Sequence, residues 1–250
     1  MSSVVLVPGS FEGSWTFDQV AQGLSQLGHE AYALTLPGLE SDWSRSPRRP
    51  PNLDDHISHV VQFIQERNLT ETVVCAHSYG GMVLRGVCDH VPGQIAGAVY
   101  VDAVVPQYGE SCWSLLGDLT RELFTTLVGG DGRYLVPPPT ADRRSLPHPI
   151  ASLMQASKAP SELPESVRHA YIYASGWAEH SPFRTVYEKL RIDFDWETFV
   201  LPVGHDLTRV QPKALADLIS RILSSWAVGS TLAGVASVQP AHHQPTVEVL

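Results

Sequence analysis

Short apolar runs alternate with longer amphipathic ones from Val4 to Val101. Val4-Val5-Leu6-Val7 is closed by Pro8-Gly9, and Ala31 to Leu36 by Pro37-Gly38. Thr72 to Ala76 runs into a Gly-rich turn, and Ile95 to Val101 is a fourth run. Continuous apolar runs of this length, bounded by turn residues, predict strands buried on both faces. Between them, Phe17 to Leu27 predicts a helix stopped by Gly28. Leu53, Ile57, Val60, Val61 and Ile64 share one helical face behind Asn52 as N-cap, and Asn68 ends that helix. Gly81 to Val91 predicts another helix, stopped by Pro92-Gly93. Strands separated by helices imply right-handed crossovers and a parallel sheet.

The alternation then breaks. Residues 104 to about 165 show no convincing strand. They carry a helical stretch from Ser111 to Val128, a Gly-Gly-Asp-Gly turn and a Pro-rich run from Pro137 to Pro149. Alternation resumes with a strand at Tyr171 to Ala174, a helix near Phe183 to Leu190, a strand near Thr198 to Leu201 and a last helix from Pro212 to Trp226. The expected fold is α/β, a mostly parallel central sheet flanked by helices. Residues 1–103 and 166–226 form its core, 104–165 a helical cap or lid, and 227–250 a flexible tail.

Composition narrows the function. The chain has 250 residues, 43% hydrophobic and 17% charged, enough for a sizeable core. Its net charge of −9 argues against nucleic acid and anionic membrane as partners. The N-terminus lacks the basic and apolar regions of a signal peptide, and no run has a membrane span's length. Three scattered cysteines without a C-x-x-C suggest neither a disulfide framework nor a zinc site. The expected location is cytoplasmic.

Candidate chemistry begins at Ala76-His77-Ser78-Tyr79-Gly80-Gly81, between a strand and a helix. A serine that protrudes from a sharp strand-to-helix turn needs small neighbours, and Gly80 and Gly81 supply them. Ser78 is therefore the candidate nucleophile. The Tyr79 N–H, at the positive end of the following helix, is one candidate oxyanion donor. The loop after the first strand, Pro8-Gly9-Ser10-Phe11-Glu12-Gly13-Ser14-Trp15, offers the Ser10 N–H as the second.

A serine hydroxyl needs a base. Of 11 histidines, His205 follows a strand through Pro202-Val203-Gly204, which puts it at the sheet edge where Ser78 lies. His77 is expected to point away from Ser78, as strand neighbours alternate. His56 and His59 are expected on a helix surface, and His242 and His243 in the tail. The base needs a carboxylate. Asp102 ends the fourth strand at the same edge and is the first choice. Glu179 is the alternative, in the turn Ser175-Gly176-Trp177-Ala178-Glu179, where Trp177 stands about where an aspartate is usual.

Four segments, Val5 to Ser10 with Gly13-Ser14-Trp15, Ala76 to Gly81, Tyr100 to Pro106 and Gly204-His205-Asp206, resemble the α/β-hydrolase superfamily. The likeness spans Val4 to about Trp226. It is nearest to the small members, the plant methylesterase and hydroxynitrile lyase group and related bacterial esterases. The resemblance implies Ser78 as nucleophile, His205 as base and the Ser10 and Tyr79 N–H groups as oxyanion hole. Some relatives carry the acid where Asp102 stands. Two departures matter. Pro8 replaces the family's histidine, so a side-chain brace of the oxyanion loop is missing. Asp206 follows His205 where the hydroxynitrile lyases carry lysine, which disfavours cyanide release.

The expected function is hydrolysis of a hydrophobic carboxylic ester or lactone through an acyl-enzyme, without cofactor or metal. Phe11, Trp113, Phe124 and Trp177 are candidate pocket residues, together with Leu116, Tyr134, Met154 and Phe183. A homodimer is left open. The alternatives are a thioesterase or amidase, a cofactor-independent lyase or eliminase on the same scaffold, and a non-catalytic small-molecule binder.

Overall fold

A computed structural model describes residues 2–41, 49–160, 162–177, 179 and 181–236. Strand β1 (Ser3–Val7) leads through a 3-10 turn at Ser14–Phe17 to helix α1 (Asp18–Gln26) and strand β2 (Glu30–Ala33). Helix α2 (Leu53–Glu66), strand β3 (Thr72–His77), helix α3 (Gly80–His90) and strand β4 (Ile95–Val101) follow. The expected Asn52 cap is present, its side chain accepting from the Asp55 N–H while Asp55 accepts from the Asn52 N–H. The second strand is shorter than its apolar run, ending at Ala33 instead of Leu36. Its neighbour β1 stops at Val7, so the ladder runs out of partner. Thr35 instead receives the Ser14 N–H on its hydroxyl at 2.8 Å.

After β4 come helices α4 (Cys112–Leu115) and α5 (Asp118–Thr126), strands β5 (Tyr134–Leu135) and β6 (His148–Pro149), and helix α6 (Ile150–Met154). Two expectations are corrected here. The stretch from Ser111 to Val128 is two helices, because Leu116 and Gly117 are extended (ψ 141 and 161) and Gly117 starts the second. The segment also contains strands. Tyr134 and Leu135 pair antiparallel with Pro149 and His148, a ladder too short to leave a periodic signal.

The chain then returns as strand β7 (Arg168–Ala174), a 3-10 turn (Ser175–Trp177), helix α7 (Arg184–Leu190), strand β8 (Trp196–Leu201), helix α8 (Leu207–Val210) and helix α9 (Pro212–Ala236). Helix α9 passes Trp226 and ends at Ala236, inside the expected tail. Residues 237–250 of that tail, with His242 and His243, lie outside the described residues.

The six-stranded sheet has the order β2-β1-β3-β4-β7-β8, and every pair is parallel. Alternation along the strands feeds two cores. Val5, Val7, Val74, Ala76 and Tyr100 pack on the α2 and α3 side, and Val4, Leu6, Val73, Cys75 and Val99 on the α1 and α9 side. The chain leaves β1 toward β2 on one side and comes back to β3 on the other. The loops after β1 and β3 therefore diverge, and a crevice opens between them at the carboxyl end of the sheet. Among the described residues no helix is long and apolar enough to cross a membrane.

Candidate active site

Sheet register assembles the site. His77 ends β3 opposite Val101, which ends β4. The next residues, Ser78 and Asp102, therefore leave the sheet side by side. Both adopt left-handed backbone, φ 54 and φ 42, which side-chain-bearing residues avoid unless their surroundings impose it. Here the imposition is visible. The Ser78 N–H donates to the Val101 carbonyl at 3.3 Å and the Asp102 N–H to the Ile172 carbonyl at 2.7 Å. A Cβ on Gly80 would lie 2.8 Å from the Val7 and Pro8 carbonyls, and one on Gly81 would lie 2.0 Å from the Val104 carbonyl. Only glycines let helix α3 start this close to the sheet.

β8 ends beside β7 with Leu201 opposite Ala174, and the loop that follows carries His205 back to the same edge. His205 Nε2 lies 3.0 Å from Ser78 Oγ, and His205 Nδ1 lies 2.8 Å from Asp102 Oδ2. Asp102 is fully buried. Its Oδ2 also accepts the Trp177 indole N–H at 3.0 Å, and its Oδ1 accepts the Ala174 N–H at 3.1 Å. Three donors satisfy the carboxylate. With Nδ1–H on Asp102, the Nε2 of a neutral ring is left to accept the serine proton.

Ser10 and Tyr79 stand at the same cavity as Ser78. Neither backbone N–H meets an acceptor among the described residues. The other acid candidate, Glu179, is exposed and does not join the His205 cluster. Trp177 occupies the turn after β7, and its indole reaches across to the carboxylate supplied by β4.

The cavity encloses about 320 Å³. Phe11, Phe124, Trp177, Leu116 and Phe183 line it, together with Val104, Cys112 and Leu123. Trp113, Tyr134 and Met154 do not. Cys112, the first residue of α4, faces the cavity, and so does Leu116 just past its end, whereas Trp113, about 100° round the helix from Cys112, does not. Tyr134 is buried in the β5–β6 pair and Met154 is half exposed. Glu12, Asp142, Asp206 and Arg209 put charge at the walls. Arg209 bonds Asp142 at 3.0 Å and Asp206 at 2.7 Å.

Two histidines make contacts that the sequence does not predict. His77 turns away from the Ser78 hydroxyl but packs beneath His205, ring centroids 4.5 Å apart, with its Nε2 3.0 Å from the His205 carbonyl. Its Nδ1 faces Glu12 Oε2 at 3.4 Å. Burial opposes charge on His77, but Glu12 more than offsets it and raises the pKa above the ordinary value. Burial likewise acts to raise Glu12, and His77 brings its carboxyl below the usual range. His56 is fully buried, not on the helix surface. Its Nδ1 lies 2.8 Å from the Tyr79 hydroxyl and its Nε2 3.0 Å from the Pro37 carbonyl. Burial brings its pKa down to about 4. The periodicity of α2 carried the signal, since position 56 neighbours the apolar face of Leu53, Ile57 and Val60. For Glu12 the signal was an acid inside an otherwise small and apolar loop. Among the described residues no three His, Cys, Asp or Glu side chains are placed to hold a metal ion.

Comparison with known proteins gives the family. Carbendazim hydrolyzing esterase of Nocardioides sp. (strain SG-4G) is 28% identical over 243 residues, covering 89% of this chain and 100% of that protein. Methylesterase 2 of Arabidopsis thaliana is 31% identical over 103 residues, 41% of this chain and 39% of its own. An extracellular alpha/beta-hydrolase from a Paenibacillus species shares the fold at a TM-score of 0.74 and 20% identity, over 88% of this chain and 98% of that one. The family model described as "Alpha/beta hydrolase family" matches residues 4–234, and the chain belongs to that family.

Proposed function

We propose that this protein is a serine carboxylic ester hydrolase acting on a small, neutral, hydrophobic ester or lactone. One observation carries the reading: Asp102, His205 and Ser78 form an unbroken hydrogen-bonded chain that opens into a mainly apolar cavity. Ser78 Oγ attacks the ester carbonyl carbon while its proton passes to His205 Nε2. Asp102 stabilises the resulting imidazolium. The carbonyl oxygen becomes an oxyanion held by the Ser10 and Tyr79 N–H groups. Collapse breaks the carbonyl–alkoxy bond, and the alcohol leaves with the proton from His205. Water then loses a proton to His205 and attacks the acyl-serine. The acid departs and Ser78 regains its hydrogen.

The cavity volume is at the small end for ligand sites, which favours a compact acyl and alcohol pair. Glu12, Asp142 and Asp206 outnumber Arg209 at the walls, which disfavours anionic substrates. Residues 104–165 supply much of the apolar wall and serve as the lid. Three free, buried cysteines support a reducing, cytoplasmic location.

The test is intact-mass labelling with a fluorophosphonate, alongside hydrolysis of 4-nitrophenyl esters. Wild type takes one adduct and turns over. Ser78→Ala takes none and loses about 10⁴-fold or more in kcat. A folded wild type without an adduct sinks the reading in favour of a binding protein.

A further inference from the structure

Pro8 stands where a brace for the oxyanion loop is usual, and the structure supplies a brace from the opposite side. Phe11, directly after Ser10, is left-handed at φ 69. Segment 146–148 holds both of its backbone groups. The Phe11 N–H donates to His148 Nδ1 at 3.3 Å, and the Phe11 carbonyl accepts the Leu146 N–H at 2.9 Å. Its ring stands edge-on to Phe124 and His148, each at 5.8 Å.

The tautomer of His148 follows from its neighbours. Ser152 Oγ donates to the Pro149 carbonyl at 2.8 Å, which commits its one hydrogen. Ser152 Oγ lies 2.9 Å from His148 Nε2, so it accepts there and Nε2 carries the proton. Nδ1 is then a bare acceptor facing the Phe11 N–H. Burial, with His56 nearby, drives the His148 pKa well below its ordinary value, and the ring stays neutral. The same ring packs on Tyr79 at 4.8 Å. The Pro37 carbonyl fixes His56 in the same way. It takes the His56 Nε2–H and leaves His56 Nδ1 to accept the Tyr79 O–H.

We propose that His148 is a positioning residue for the oxyanion hole, its Nδ1 holding Phe11 in the left-handed turn that presents the Ser10 N–H to the carbonyl attacked by Ser78. This rests on the serine hydrolase reading and on Ser10 as an oxyanion donor. His148 belongs to the lid segment, so the lid and the oxyanion loop are a single mechanical unit, and a lid that moves away disarms the hole.

The experiment compares His148→Leu, which keeps bulk without the acceptor, with His148→Asn, whose Oδ1 replaces Nδ1. Readouts are kcat and KM on 4-nitrophenyl butyrate, the rate of fluorophosphonate inactivation and the affinity for a phenyl-substituted trifluoromethyl ketone, which presents an oxyanion. Misplacing an oxyanion donor lowers kcat about 10- to 100-fold. In His148→Leu we expect that loss, a parallel loss of ketone affinity and a KM close to wild type. His148→Asn recovers most of each. Wild-type kcat and ketone affinity in a folded His148→Leu would overturn the proposal, as would a His148→Asn no better than His148→Leu. If His148→Leu does not fold, His148→Phe, which keeps a ring without the acceptor, takes its place. It is expected to lose kcat and ketone affinity together, and unchanged values would overturn the proposal. A wild type that takes no adduct removes the hydrolase reading itself. A wild type that reacts, beside a His148→Leu that reacts as fast, removes only this proposal.

Discussion

Two histidine–carboxylate pairs lie one above the other at the carboxyl end of the sheet, and they are not equivalent. In the upper pair, His205 sets one nitrogen against Asp102 and the other against the Ser78 hydroxyl. In the lower pair, His77 sets one nitrogen against Glu12 and the other against the His205 carbonyl. A hydroxyl has a proton to give, whereas a carbonyl only accepts. The upper ring is therefore ready to receive a proton, and the acceptors at both ends of the lower ring, which raise its pKa, favour its doubly protonated form. In the proposed hydrolase, the partner of the far nitrogen decides which histidine is a base and which is a brace.

The carboxylates differ to match. Asp102 accepts from three donors and sits where neighbouring strand ends fix it. Glu12 hangs from a loop and faces His77 as an ion pair at 3.4 Å. The largest expected effect follows from breaking the upper pair. Asp102→Asn keeps the shape but puts a donor against Nδ1, favouring the wrong tautomer, and kcat falls about 10⁴-fold. Steady-state kinetics on a 4-nitrophenyl ester measures this. A loss below tenfold would show that Asp102 does not orient the base.

Breaking the lower pair is milder. Glu12→Gln leaves the Ser78–His205–Asp102 chain intact but takes away the charge that raises the His77 pKa. The His205 backbone loosens, and kcat falls about tenfold. The pH dependence of stability is diagnostic. Glu12 is lowered from 4.5 in the fold, so its contribution is present above about pH 4.5 and lost as pH falls through the depressed value. His77 is raised from 6.5, so its contribution is full below about pH 6.5 and lost as pH rises through the raised value. The Tm gap between wild type and Glu12→Gln is therefore widest between those pH values and narrows on both sides. Thermal melts from acid to alkaline pH measure it. A gap that does not vary with pH would mean that the pair is uncharged.

The upper pair was legible in the sequence and the lower one was not. Parallel strands advertise themselves as apolar runs, and Ser78, Asp102 and His205 each directly follow or lie just beyond such a run. Glu12, His77 and His148 take their roles from contacts that no local period encodes. Strand alternation turns His77 away from the Ser78 hydroxyl but is silent about a ring that reaches past the strand end to pack on His205. His148 sits in a Pro-rich stretch whose two-residue strands bury it. The choice between Asp102 and Glu179 needed register, because only the pairing of His77 with Val101 shows that Asp102 emerges beside Ser78. The sequence places Trp177 in the pocket wall, but a residue in the usual acid position also meets whatever replaces that acid.

That last point yields the smallest effects. Trp177→Phe keeps a ring over His205, where the centroids are 4.8 Å apart, but removes the indole N–H from Asp102 Oδ2. Asp102 still binds His205 and the Ala174 N–H, so the carboxylate stays in place with one donor fewer. Hydrogen bonds to charged groups are worth about 1.5–3 kcal/mol, and only the part that changes as His205 takes its proton reaches the rate. An effect of about 1 kcal/mol, or about fivefold in kcat/KM, is expected. Glu179→Gln, in the same turn but exposed, should stay within about twofold of wild type. If Glu179→Gln lost more activity than Trp177→Phe, the acid of this turn would be catalytic after all, and Asp102 would be its support.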